Sequence, residues 1–418
     1  MFELKGKYNS AIIYTDLCDQ ETISQIMDLL NLDSMKDCKI RIMPDTHAGS
    51  GCVIGTTMTI KDKIIANLVG VDIGCGMLST RLREKEIDFA KLDDVIRRFV
   101  PSGFDVHERA IASSNAKDII APIDFEKSQK SLGSLGGGNH FIEVDKDDQG
   151  NNWLVIHTGS RHLGKEVCKH YQDLAYRKLK TRDNEAQIKE TIAKLKSQGK
   201  YGEIENAIKI IKMQGANVSK DLAHLEGEDF ANYVHDMKIA QEHAKINRAT
   251  IAGVILDAMG LHKEEQFDTI HNYLDTENMI LRKGAISARE GERVLIPMNM
   301  RDGSLICTGK GKPEWNFSAP HGAGRLMSRA KAKEAVDVEE FRDSMAGIWS
   351  TSVGLSTLDE SPFAYKPMES ILENIRDTVN VDCIIKPLYN FKAGEKERLT
   401  ELTRKNSLEE NKEDENER

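Results

Sequence analysis

A largely apolar run from Ile64 to Val71 feeds into the stretch Gly70-Val71-Asp72-Ile73-Gly74-Cys75-Gly76-Met77. The run reads as a buried strand. Glycines at 70, 74 and 76 bracket one carboxylate and one thiol. Glycine allows backbone angles and close approaches closed to other residues, so Asp72 and Cys75 can turn toward one point. A carboxylate and a thiolate at one point begin a metal site. The plainer alternative is a tight turn with an inert buried cysteine. A metal site would need further donors from other parts of the chain.

Several stretches supply such donors. A strand over 10–14, a helix over 21–30 and a strand over 39–43 lead into Pro44-Asp45-Thr46-His47-Ala48-Gly49. Asp45 and His47, two apart, face one side of an extended chain. A helix over 85–99 carries Phe89, Leu92, Val95, Ile96 and Phe99 at core spacing. The glycine run 136–138 ends on Asn139 and His140, and Phe141-Ile142 opens a strand. Such a run can gather backbone N–H groups around phosphate, although it fits neither common nucleotide-binding fingerprint. A strand over 153–156 ends at His157. His271 follows a short apolar lead in the same way. Functional side chains favour such strand ends.

From 166 to about 250 the chain becomes rich in Lys, Glu, Gln and Ala and reads as three or four helices. They include a hairpin over 183–213 and an amphipathic helix over 233–248 whose His235 and His243 are packing residues. Arg282-Lys283 followed by small residues suits phosphate contact. Pro320-His321-Gly322-Ala323-Gly324-Arg325 is expected to open a helix and cradle an anion. A strand-like run over 383–392 ends at Lys392, and the charged segment 394–418 reads as a disordered tail.

Composition narrows the function classes. The formal charge is -9, so a nucleic-acid partner must meet a local patch, not a global basic field. No apolar run reaches the roughly 18 residues of a membrane span. MFELKGKYNS does not read as a signal peptide. The 7 cysteines are odd in number and lack framework spacing, which suits a reduced, cytoplasmic protein.

Taken together, PDTHAG (44–49), VGVDIGCG (69–76), GGGNHFIE (136–143), HTGSRHLG (157–164), YVHDMKIAQEHAKINR (233–248), HNY (271–273), HGAGR (321–325) and KPLYNFK (386–392) resemble the RtcB family of GTP-dependent RNA-splicing ligases. They stand in the family's order. The resemblance implies a layered α/β (α+β) core that is not a Rossmann domain. It implies one catalytic domain over 1–393, with a helical insertion at about 166–250. It also implies joining of RNA 2′,3′-cyclic-phosphate or 3′-phosphate ends to 5′-hydroxyl ends, in RNA repair or tRNA splicing.

Roles follow from the same resemblance. Two manganese ions would share Cys75, one also taking His157 and His271, the other Asp72 and His140. The donor types alone leave the metal open, since thiolate and imidazole favour zinc while carboxylate favours manganese or magnesium. His321 would be the nucleophile toward GTP. Guanylate contacts would come from Asn139, His140, Phe141, Ile142, Glu143, His271, Asn272, Pro297, Met298, Asn299, Met300, Ser304, Gly322, Ala323, Gly324 and Lys392. Asp45 and His47 would support the metal pocket from behind its ligands. The chain departs from the family's usual residues at Gly74, Met298, Asn299 and Pro320. The competing reading is a metal-dependent RNA phosphodiesterase or phosphatase that does not use His321 as a nucleophile.

Overall fold

Two large β-sheets with long helices packed against them, and two small two-stranded sheets, form the described part of the protein. The computed structural model describes residues 1–213 and 217–393. The segment 394–418, read above as a disordered tail, lies outside the described residues. One sheet has six strands, in the order Phe2–Lys5, Ser10–Ile13, Ile40–His47, Ile54–Thr59, Ile280–Lys283 and Asn272–Asp275. The other has seven, in the order Lys263–Ile270, Gly76–Leu82, Asn152–Thr158, Phe141–Lys146, Val379–Lys392, Gly303–Gly309 and Arg293–Asn299. Within the two sheets the pair Ser10–Ile13 and Ile40–His47 is parallel, and every other strand pair is antiparallel. The fold is therefore mixed α/β and not the parallel, doubly wound sheet of a Rossmann domain.

The seven-stranded sheet curls until its two edges meet, and the Leu295 N–H donates to Thr269 Oγ1 at 3.1 Å. Curling gives the central strand Asn152–Thr158 two buried faces. On Asn152–Thr158, Leu154 and Ile156 pack outward with Ile251 and Ile255 of a helix. Trp153 and Val155 pack inward with Leu295, Ile306 and Ile385. This is why that strand is apolar without alternation.

Two expected elements differ. The apolar run before Asp72 is not a strand beyond Lys63–Ile64. It forms a single helical turn, Ala66–Val69, that stops at Gly70 with φ +99°. Short apolar runs do not separate helix from strand, and Ala and Leu favour helix. HGAGR does not open a helix either. Residues 321–328 form an irregular loop, and the helix Arg329–Ala335 begins only after Ser328, whose hydroxyl accepts from the Lys331 N–H. Glycines resist helix formation, and serine is a strong cap.

The helical stretch divides in two. The helix Arg161–Ser197 runs for 37 residues and turns at Gly199, with φ +72°, into Ile204–Met213. Its first half buries Leu163, Val167, Tyr171 and Ala175, whereas the later hairpin is mostly exposed. The helix Gly227–Met259 is central: Tyr233, Met237 and Ala240 enter one core, and Ile251, Ala252 and Ile255 another. No helix among the described residues is long and apolar enough to cross a membrane.

Ile255 is fully buried, whereas Ile210 on the hairpin is 52% exposed. Urea denaturation should show Ile255→Ala losing about 2–5 kcal/mol. Ile210→Ala should stay within about 0.5 kcal/mol of wild type.

Candidate active site

The turn from Asp72 to Cys75 meets three strand ends. Cys75 Sγ lies 3.3 Å from His157 Nε2 and 3.5 Å from His140 Nε2. His140 Nε2 in turn lies 2.9 Å from Asp72 Oδ2. The other nitrogen of each ring fixes the meaning of these approaches. His140 Nδ1 is 2.9 Å from the Leu135 carbonyl, and His157 Nδ1 is 3.1 Å from the Asn139 carbonyl. A carbonyl only accepts, so each Nδ1 carries the proton. A ring protonated only there aims its Nε2 lone pair into the cluster with the sulfur and the carboxylate.

Acceptors converging in this way fit a cation, and carbonyl-oriented histidines are the usual frame of a metal site. The donor atoms of Cys75, His140 and His157 all lie within 4.8 Å of one another. The His271 ring adjoins His157, with centroids 5.2 Å apart. His271 Nδ1 and Asp72 Oδ1 are buried and have no hydrogen-bond partner among the described residues. Burial, reinforced by nearby histidines, pushes His157 and His271 well below the usual imidazole range, so both are neutral. Burial and the Asp72 charge push the Cys75 thiol up, while Arg248 opposes them. A bound cation would supply the charge that ionises it.

His321 stands beside this cluster, its ring centroid 4.8 Å from that of His271. Its Nδ1 lies 2.6 Å from Asp45 Oδ2. The same oxygen accepts the backbone N–H groups of His321 at 3.1 Å and Gly322 at 3.2 Å. Nδ1 therefore holds a proton, and the lone pair of the neutral ring is the one on Nε2. Asp45 thus acts on His321 and not on the metal donors. His47 Nδ1 turns back to the Asp45 carbonyl at 3.0 Å. Burial lowers the His47 pKa to about 4.

A cleft of about 800 Å³ opens over both centres. Asn139, Phe141, Glu143, Asn272, Pro297, Met298, Asn299, Met300, Gly322, Ala323, Gly324 and Lys392 line it. Three expected contacts, His140, Ile142 and Ser304, do not. Strand alternation sends Ile142 into the core with Val144 and Leu154. Ser304 is buried opposite Pro297, and its hydroxyl has no partner among the described residues. Arg282 is likewise no phosphate ligand. It is fully buried and donates to Ser318 Oγ at 2.8 Å, the Tyr273 hydroxyl at 2.9 Å and the Phe317 carbonyl at 3.2 Å. Lys283 does border the cleft, its Nζ 2.7 Å from the Asn67 carbonyl. His243 packs as expected, bonded to Ser114 Oγ at 2.8 Å.

Nothing in the spacing of the sequence pairs Lys392 with Glu360, yet Lys392 Nζ lies 2.8 Å from the Glu360 carboxylate and over the Phe141 ring. Arg329 at 2.5 Å, Arg325 at 3.3 Å and the Tyr365 hydroxyl at 2.7 Å complete the buried acid's shell. Burial alone would raise the Glu360 pKa. The surrounding cations outweigh it and hold the group well below the usual carboxylate range. The available signal was the basic series Arg325, Arg329, Lys331 and Lys333, which needs an acid to pack against, and Asp359-Glu360 supplies one.

A family model described as tRNA-splicing ligase RtcB matches residues 25–123 and 108–393. The chain is 31% identical over 386 residues to an RNA-splicing ligase RtcB of Escherichia coli strain K12, covering 82% of this chain and 87% of the relative. It is 26% identical over 469 residues to a tRNA-splicing ligase RtcB of Aeropyrum pernix, covering 87% and 90%. An RNA-splicing ligase RtcB of Mycobacterium tuberculosis matches at 26% over 422 residues, covering 79% and 91%.

If Cys75 is the central donor, Cys75→Ala should lose its bound divalent metal while its thermal unfolding stays cooperative. Elemental analysis of the purified variant checks this. Alanine at Cys18, Cys38 or Cys383, which lie outside the cleft wall, should leave the metal content unchanged.

Proposed function

The chain belongs to the RtcB family and is an RNA ligase, and we propose that it uses GTP and manganese to join RNA 2′,3′-cyclic-phosphate or 3′-phosphate ends to 5′-hydroxyl ends. The observation that carries this reading is His321, with Nδ1 tied to Asp45 at 2.6 Å and its ring against His271. That arrangement supplies an oriented imidazole nucleophile next to a metal-type cluster.

Cys75 would be shared by two ions, with His157 and His271 completing one site and Asp72 and His140 the other. Manganese there would offset negative charge on the phosphoryl group being transferred. The protein's own groups do the rest. His321 Nε2 attacks the α-phosphorus of GTP, the bond to pyrophosphate breaks, and a phosphoramidate to GMP forms. The attack makes the ring cationic, and the buried Asp45 carboxylate stabilises it through the Nδ1–H. Where the RNA ends in a 2′,3′-cyclic phosphate, water first opens it, breaking the 2′-O–P bond to leave a 3′-phosphate, and an oxygen of that phosphate then takes the guanylate from His321. Finally the 5′-hydroxyl attacks the activated phosphate and GMP leaves.

Guanylate would lie along Asn139, Phe141, Glu143, Asn272 and the 297–300 strand end. Ala323 and Gly324 would offer main-chain N–H groups, whereas the Gly322 N–H already donates to Asp45. Ile142 and Ser304 could contribute only backbone atoms. Asn299 is already committed in part, since its Nδ2 donates to Asp302 at 2.8 Å. Lys392 would meet the nucleotide as a compact positive charge.

Incubation with α-labelled GTP should give an acid-labile protein–GMP adduct. His321→Ala should abolish it, yet still seal RNA already activated with guanylate at its 3′ end. A wild-type chain that opens cyclic phosphates but never forms the adduct would instead be a phosphodiesterase. Lys392→Ala should slow adduct formation by roughly tenfold or more, equivalent to about 1.4 kcal/mol. The loss should exceed simple removal of a contact, because the Glu360 charge is then left facing the nucleotide phosphates with less compensation. Adduct rates at limiting GTP decide it, and wild-type rates would remove Lys392 from the site.

A further inference from the structure

The motif on the central helix ends in Asn247 and Arg248, both fully buried. Neither lines the cleft. Arg248 spends its guanidinium on three separate segments. Its Nη1 donates to the Gly74 carbonyl at 2.8 Å and the Thr158 carbonyl at 2.9 Å. Its Nε and Nη2 grip the two oxygens of Asp268 at 2.8 and 2.7 Å. Gly74 stands between Asp72 and Cys75, Thr158 follows His157, and Asp268 lies on the strand that delivers His271. One planar cation therefore spans the segments bearing four of the five donors.

The turn is also seated directly on this helix. Gly74 has φ +71°, and a Cβ there would come within 2.8 Å of Gln241 Cα. Asn247 secures the neighbouring loop. Its Oδ1 accepts the Gly133 N–H at 2.8 Å, and its Nδ2 donates to the Ser134 and Gly159 carbonyls, each at 3.1 Å. The next residue, Leu135, presents the carbonyl that orients His140.

We propose that Arg248 is the positioning residue of the metal centre, setting the spacing of the Asp72–Cys75 turn against His157 and His271 and thereby metal affinity. This rests on the metal reading given above. The fork geometry is essential to it. A guanidinium can hold two carbonyls and a bidentate carboxylate at once, whereas a lysine ammonium on a flexible stem cannot.

The test measures metal binding, not ligation. Free Mn2+ is followed by electron paramagnetic resonance during titration of wild type, Arg248→Lys and Asp268→Asn. Co2+ loading is followed by its thiolate charge-transfer absorption. Arg248→Lys should weaken Mn2+ binding by roughly 10–100-fold and perturb the Cys75-to-cobalt band. Asp268→Asn should show a smaller loss of the same kind. Its side chain is 22% exposed, so it serves as the folded variant if Arg248→Lys does not fold. Folded variants with wild-type affinity and an unchanged cobalt spectrum would overturn the positioning role. A wild-type chain that binds neither ion would sink the metal reading and this inference with it.

Discussion

The site depends on two backbone carbonyls. Leu135 and Asn139 each fix the proton on the Nδ1 of a histidine, and so force a lone pair toward Cys75. Without that constraint the rings could donate to the sulfur and the carboxylate, and the cluster would be an ordinary hydrogen-bonded core. With it, the Nε2 lone pairs, the Asp72 carboxylate and a single thiol face one another in a buried pocket, and the one S–H cannot satisfy every acceptor. Unpaired acceptors out of water cost several kcal/mol unless a cation meets them. A cation bound there would offset that cost, and its binding would then add to the stability of the fold.

A second carboxylate repeats the logic on the other side of the cleft. One oxygen of Asp45 collects three N–H groups from His321 and Gly322. Lys366 holds the strand that carries Asp45, its Nζ 3.0 Å from the Pro44 carbonyl and 2.9 Å from that of Thr46. Its own N–H donates to Gly324 at 3.0 Å. The six-stranded sheet therefore supplies the group that orients His321, while the seven-stranded sheet supplies most of the metal donors. The cleft lies where these two sets meet.

What could be read from the sequence divides along a physical line. Asp72, Cys75, His140, His157 and His271 were legible because each sits at a glycine turn or the end of an apolar strand, signals carried by adjacent residues. The mixed sheet-and-helix core followed from the order of the motifs. Glu360 was not legible, because its partners Lys392, Arg325 and Arg329 are brought to it only by tertiary packing. The helical turn Ala66–Val69 escaped because four apolar residues fit either period. Arg282 was misjudged because a basic residue beside small ones looks the same in sequence whether it meets phosphate or, as here, buried oxygens of its own chain.

The last strand, Val379–Lys392, lies in the interior of the seven-stranded sheet, between Phe141–Lys146 and Gly303–Gly309. It follows every other strand of the described residues in the chain but pairs centrally. Until it is present, the strand Phe141–Lys146, which follows His140, has an open edge, and the sheet cannot curl shut. Closure of the sheet thus waits for this strand, which joins Phe141–Lys146 to Gly303–Gly309. A chain stopped before Val379 would contain all five candidate donors and still lack the strand that bridges the two halves of the sheet. The pocket is therefore made by contact between distant parts of the sequence, not by the donor-bearing segments alone.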